Sequence, residues 1–196
     1  MYILNLNISY FKPVGEISDS RIQLLKEKLS AFPEIEKPAK DIIVFKSGNS
    51  GYAIHPGQIT FIANGVAELK PDEVIDTLNT INETLGLSDE AKLLCVFEGI
   101  SQCNGSSMSF SSEIHKTEAE TLSAKGIGLR FMVETSVIKG DVRIEPFLKD
   151  ENKIFYHTVL ESKELISLSR TKEVLRDIIN VATVKALEVS ARLFNS

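Results

Sequence analysis

Tyr2, Leu4, Leu6, Ile8 and Tyr10 alternate with Asn5, Asn7 and Ser9, and this period of two predicts a strand with one face on a core. After Lys12-Pro13-Val14-Gly15 the period changes. Ile22, Leu25, Leu29 and Phe32 recur at three- and four-residue spacing, which predicts a helix capped by Ser18 and stopped before Pro33. Residues 34–40 read as a charged connector. Extended patterns resume at 41–46, 52–54 and 58–63. They are divided by the glycine- and serine-rich turn at 47–51 and by His55-Pro56-Gly57-Gln58, where Pro and Gly suit the centre of a type II turn.

A second helix is predicted from Pro71, at a first-turn position, with Asp72 and Glu73 facing the positive end of the helix dipole. Its buried stripe is Val74, Leu78, Ile81 and Leu85, and Gly86 stands where a left-handed cap ends a helix. Residues 92–102 are again apolar and extended. The order strand, helix, strand pair, helix, strand resembles the split βαβ arrangement called ferredoxin-like, from which the extra turn at His55 to Gln58 departs.

Beyond it, Asn104-Gly105 between extended runs predicts a hairpin, with 106–115 as the returning strand and a helix as the alternative. Thr117 and Glu120 have capping-box spacing for a short helix to Ala124. Three further strands are predicted at 127–135, 142–149 and 154–160, separated by Lys139-Gly140-Asp141 and Asp150-Glu151-Asn152. The last helix, 170–194, is the longest, with an apolar arc broader than one sheet face requires. The fold class expected is α+β: antiparallel sheet or sheets with three main helices, a ferredoxin-like first half (1–100), and a second half (101–196) that is an antiparallel meander closed by the long helix. The absence of a linker near residue 100 makes 1–196 one compact unit.

Composition changes this picture little. Apolar residues make 43% and charged residues 25% of 196, as in an ordinary globular chain. The net charge of -5 makes nucleic acid an unfavoured partner. The first 100 residues hold 9 basic and 14 acidic side chains and the remainder 13 of each, with five of six arginines in the second half. No run approaches the roughly 20 apolar residues of a membrane span. The first residues lack the pattern of a signal peptide. Cys95 and Cys103 are too far apart along one strand to bridge, so free thiols in a reducing cytoplasm are expected.

Candidate chemistry is sparse. His115 and Glu118 have helical spacing for two metal ligands but need at least one more from elsewhere, which His157 or His55 could supply. Solvated residues beside a helix start are the simpler reading, and no metal and no cofactor is expected. Lys125-Gly126-Ile127-Gly128 lacks the last glycine and the helix of a phosphate loop, and its glycines read as a close backbone approach. Strand parity is more informative. Arg130, Met132 and Glu134 fall opposite the apolar set of their strand; Arg143, Glu145 and Phe147 do so in the next, and Phe155 and His157 in the third. With these strands adjacent, Arg130, Arg143, Glu145 and His157 form a partner- or ligand-binding face of arginine and aromatic groups.

With no catalytic motif, the expected function is that of a cytoplasmic, non-catalytic interaction protein. It would self-associate as a dimer and bind a protein partner through this face or the last helix. The alternative is a small-molecule binder or enzyme with an Arg/Glu/His cleft for an anionic ligand.

Overall fold

The computed structural model describes residues 1–66 and 69–194. The expected first strand is β1 (Tyr2–Phe11), with Leu6, Ile8 and Tyr10 fully buried on one side. Helix α1 (Asp19–Lys28) starts where Ser18 Oγ accepts the Arg21 backbone N–H. A four-strand meander follows: β2 (Glu34–Ala39), β3 (Ile42–Ser47), β4 (Ser50–His55) and β5 (Gln58–Val66). Then come α2 (Pro71–Thr84), closed by Gly86 at φ +62, and the long β6 (Glu90–Gln102). Helices α3 (Ser107–Ile114) and α4 (Lys116–Leu122) lead into β7 (Leu129–Glu134), β8 (Ile138–Pro146) and β9 (Lys153–Ser162). The short β10 (Ile166–Ser167) pairs with the start of β6, and a 3-10 turn enters α5 (Thr171–Asn180). A π-helical turn (Val181–Lys185) joins α5 to α6 (Ala186–Phe194).

One antiparallel sheet contains every strand, in the order β2-β3-β4-β5-β1-β6-β9-β8-β7, with β10 off that path. The order is nearly symmetric about the β1/β6 pair. Each of these two strands is followed by helix, then by a meander that begins at a sheet edge and works inward to end beside that strand, then by helix again. Sequence showed no residue repeat, yet the chain draws the same path twice, with four strands in the first meander and three in the second. Three strands separate β1 from β2, where the plain split βαβ unit has one.

Several expectations are corrected. Residues 34–40 are an edge strand, β2, rather than a connector: Ile35 alone supports it from the core side, so the side-chain pattern hardly betrays it. Residues 106–115 are helix α3 rather than a strand. Ser106 Oγ caps it by accepting the Ser109 N–H, and Ser107 and Ser111, four apart, are buried on one helix face. Lys139-Gly140-Asp141 lies inside β8, not between strands. Gly140 has φ +148, and a Cβ there would meet the Val159 carbonyl oxygen at 1.9 Å, so the glycine serves a close backbone approach. Consequently β8 begins four residues earlier than expected. Pro146 is its last residue, beyond the Leu129↔Ile144 pair where β7 ends, so no ladder bond is lost.

Among the described residues the three main helices expected are present as α1, α2 and the continuous α5–α6 stretch, the short one expected is α4, and α3 is added; they pack on the face carrying Leu6, Ile8 and Tyr10. The last helical stretch uses its broad arc inside the chain. Val174, Ile178, Ala182, Ala186, Ser190 and Phe194 are buried at four-residue spacing. Four residues overshoot an α-helical turn by about 40°, and the wider π turn takes part of that drift back. Val184, on the far side, is exposed. Among the described residues no helix is long and apolar enough to cross a membrane.

Candidate interaction site

Among the described residues no helix covers the second face of the sheet. Its geometry follows from pairing register. Arg130 stands opposite Arg143, Arg143 opposite His157, His157 opposite Glu98, Glu98 opposite Asn5 and Asn5 opposite Asn64. These six residues draw a polar band across six strands, from β7 to β5. On one side the band is flanked by Met132, Asp141, Val159, Val96, Asn7 and Ile62, and on the other by Glu145, Phe155, Ile100 and Tyr2. Phe147 stacks on Phe155 with ring centroids 6.0 Å apart.

The four residues expected to share a surface therefore do share it. Arg130, Arg143 and His157 lie in one transverse row, and Glu145 stands in the next, opposite Phe155. Sequence reasoning missed the rest of the band. Asn5, Glu98 and Asn64 belong to strands whose polar face was visible, but only the strand order places β1, β5 and β6 beside β9. It also missed Asp141, which organises both arginines. Arg130 donates to Asp141 through Nε (2.9 Å) and Nη2 (3.0 Å), and Arg143 through Nε (3.1 Å). Burial acts to raise the Asp141 carboxyl, but the two guanidinium groups outweigh it and hold the group below the usual carboxylate range. Glu161 repeats the pattern one row away. There burial is outweighed by Lys92 at 3.0 Å and Lys139 at 3.2 Å.

The face is thus apolar in patches, with Arg130 and Arg143 paired to Asp141, Lys92 and Lys139 paired to Glu161, and Glu98 and Glu145 in no ion pair among the described residues. Among the groups with capacity left are the two Nη atoms of Arg143, and His157 Nδ1, which is buried without a hydrogen-bond partner. Glu98 accepts from Asn5 Nδ2 at 3.5 Å, and Asn5 Oδ1 accepts from Asn7 Nδ2 at 3.4 Å.

No described cavity gathers the arginines with His157. A cavity of about 620 Å³ lies on the helix side, among Phe32, Tyr52, Phe61 and Val74. Another of about 410 Å³ includes Glu145 with Gly126, Gly128 and Leu148. There a Cβ on Gly128 would stand 2.7 Å from Glu145 Cβ, the close approach expected of those glycines. His115 immediately precedes α4, whose first turn holds Glu118, and among the described residues no three His, Cys, Asp or Glu side chains cluster as metal ligands would. Cys95 and Cys103 are both free and buried, and burial pushes the Cys95 thiol up to about 12, away from thiolate chemistry.

Comparison with protein-family models, curated proteins and solved structures returns no match. The site therefore has to be read from its own chemistry.

Proposed function

We propose that this chain is a non-catalytic interaction protein that docks a protein partner on its uncovered sheet face and also associates with itself. The observation that carries the reading is the polar band from Arg130 to Asn64, flanked by the apolar groups of Met132, Val159, Val96, Ile62, Phe155 and Ile100, on a face without helices among the described residues. Arginine and aromatic groups are what a partner's surface engages, and Glu98 and Glu145, which pair with no cation among the described residues, call for donors on that partner. The last helix, a second docking surface on sequence grounds, loses its claim because its arc is used internally. Two buried free thiols suit a reducing compartment, so the proposal places the protein in the cytoplasm. We take residues 1–196 to act as one unit, with the first half an elaborated split βαβ and the second a meander closed by helix.

The test is site-specific photocrosslinking in the native cell. A photoreactive residue at Val96, mid-face, should yield an adduct of defined mass that one at Leu24, exposed on α1, does not. Arg143→Ala should reduce that adduct at least tenfold while costing about 1 kcal/mol of stability or less, too little to unfold the chain. Equal yields from both positions, or none at Val96, would sink the proposal.

A second reading has its own observation. The free Nη atoms of Arg143 stand one strand from His157 Nδ1, a pair that could take a small carboxylate or phosphate. Titration with inorganic phosphate, followed through His157 ring chemical shifts, tests it. Saturable shifts lost in Arg143→Ala would favour this reading over protein docking.

A further inference from the structure

The sheet has two free edges, and they are built differently. The outer edge of β2 reads Glu-Ile-Glu-Lys-Pro-Ala, with a proline, three charges in six residues and a register shift between Glu36 and Ala39. Such an edge resists pairing with another strand. The outer edge of β7 reads Leu-Arg-Phe-Met-Val-Glu, without proline, and pairs with β8 in unbroken register from Leu129 to Glu134. Among the described residues no hydrogen bond reaches its outward backbone groups. Phe131 is 37% and Met132 75% exposed, one on each side of the strand. Ile114 of α3, itself exposed, lines a small cavity with Leu129, so apolar surface continues beside the edge.

We infer that β7 is the dimer interface, pairing antiparallel with β7 of a second copy about a twofold axis at Met132, so that two sheets become one. The inference rests on the self-association half of the proposed function and names its surface. Register supports a second copy as the occupant. A twofold axis perpendicular to a sheet pairs residues of the same parity, so each residue meets itself or one an even number away. An axis at Arg130 sets arginine against arginine, and an axis at Phe131 sets Arg130 against Met132 and leaves Glu134 without a counterpart. An axis at Met132 sets Arg130 against Glu134 of the other copy, twice, on the uncovered face, and Phe131 against Val133 on the helix side. Arg130 keeps its bidentate hold on Asp141 through Nε and Nη2, which leaves Nη1 without a hydrogen bond. Glu134 keeps Lys163 at 2.6 Å on Oε1, with Oε2 free. Charge complementarity thus favours this register over those centred on Arg130 and Phe131.

The native chain is first weighed by sedimentation equilibrium at tens of micromolar, where twice 21.7 kDa is expected. Disulfide trapping then reads the register. Directly opposed residues have Cβ atoms about 5 Å apart, near the span of a disulfide. Met132→Cys, oxidised with diamide, should give a covalent dimer in high yield, while Phe131→Cys and the distant Leu165→Cys give at least tenfold less. Glu134→Arg should weaken the dimer at least tenfold. Mixing it with Arg130→Glu should restore a mixed dimer, a rescue that general destabilisation does not produce. A monomeric native chain would overturn both this inference and self-association. A dimer that traps better at Phe131→Cys or Leu165→Cys, or that ignores Glu134→Arg, would overturn the β7 interface and leave self-association standing.

Discussion

At the residue scale, Asp141 is where physical chemistry gives the sharpest expectation. Its side chain is 10% exposed, while Arg130 and Arg143 are about half exposed, so water screens the pairs from one side. Asp141→Asn should cost about 1 to 2 kcal/mol at neutral pH, the range for hydrogen bonds to charged groups after discounting for exposure. The folded carboxyl is held below its ordinary value of 3.8. Its contribution is therefore present above that value and lost as pH falls through the folded one. Denaturation of both proteins from pH 7 to 2 should show the gap closing below about pH 4, and a gap that persists unchanged to pH 2 would contradict the assignment. Gly140→Ala is the severe counterpart. A Cβ 1.9 Å from a carbonyl oxygen at φ +148 forces β8 from β9, and a loss of about 3 kcal/mol or more is expected in urea denaturation. Neither effect was legible in the sequence, because Asp141 and Gly140 looked like turn residues. Arg130, Arg143, Glu145 and His157 were legible because their strands alternate cleanly.

At the element scale, what the sequence disclosed and what it hid divide along one line. Elements held by side-chain burial, such as α2 and β9, were readable from period alone. So was β1 except at its start, where a register shift between Ile3 and Asn5 buries Ile3 and turns Tyr2, expected on the core face, to the uncovered one. Elements held by backbone or by small polar groups were not. β2 survives on its ladder with β3. Helix α3 buries serines, with Ser107 Oγ donating to the Lys153 carbonyl at 2.9 Å and Ser111 Oγ accepting the Ile127 N–H at 3.0 Å. No hydropathy pattern marks such a face. The same economy of hydroxyls fastens α6 to the sheet, for Tyr156 on β9 donates to Ser190 Oγ at 2.6 Å and lies 2.8 Å from Ser101 Oγ on β6. Burial raises the Tyr156 hydroxyl's pKa, keeping it protonated. Tyr156→Phe and Ser190→Ala should each cost about 1 kcal/mol, with a double-mutant coupling of at least 0.5 kcal/mol. Additive losses would mean that the hydroxyls do not cooperate in holding the helix.

At the scale of the molecule, the seam between the two similar halves decides how the protein behaves. β1 and β6 pair along nearly their whole lengths, setting Leu6 beside Phe97 and Ile8 beside Cys95 in one continuous core. On the helix side α2 and α5 are joined by Arg176 to Asp72 and Lys172 to Asp76, both at 2.6 Å. Those ion pairs are exposed and contribute little, so the strand seam and the apolar core are what couple the halves. Splitting them would uncover Leu6, Ile8, Leu93 and Cys95 together, several kcal/mol of burial on any area scale. Unfolding should accordingly be a single transition. The chain has no tryptophan, which makes single probes clean: Phe32→Trp reports the first half beside Tyr52, and Phe155→Trp reports the second on the uncovered face. In each variant the fluorescence midpoint in urea is compared with that variant's own circular-dichroism midpoint, so any cost of the substitution cancels. Coincident midpoints in both are expected. A fluorescence transition that precedes the circular-dichroism transition in one variant and trails it in the other would show two units that unfold separately, and a partner on the sheet face would then bridge halves able to move apart.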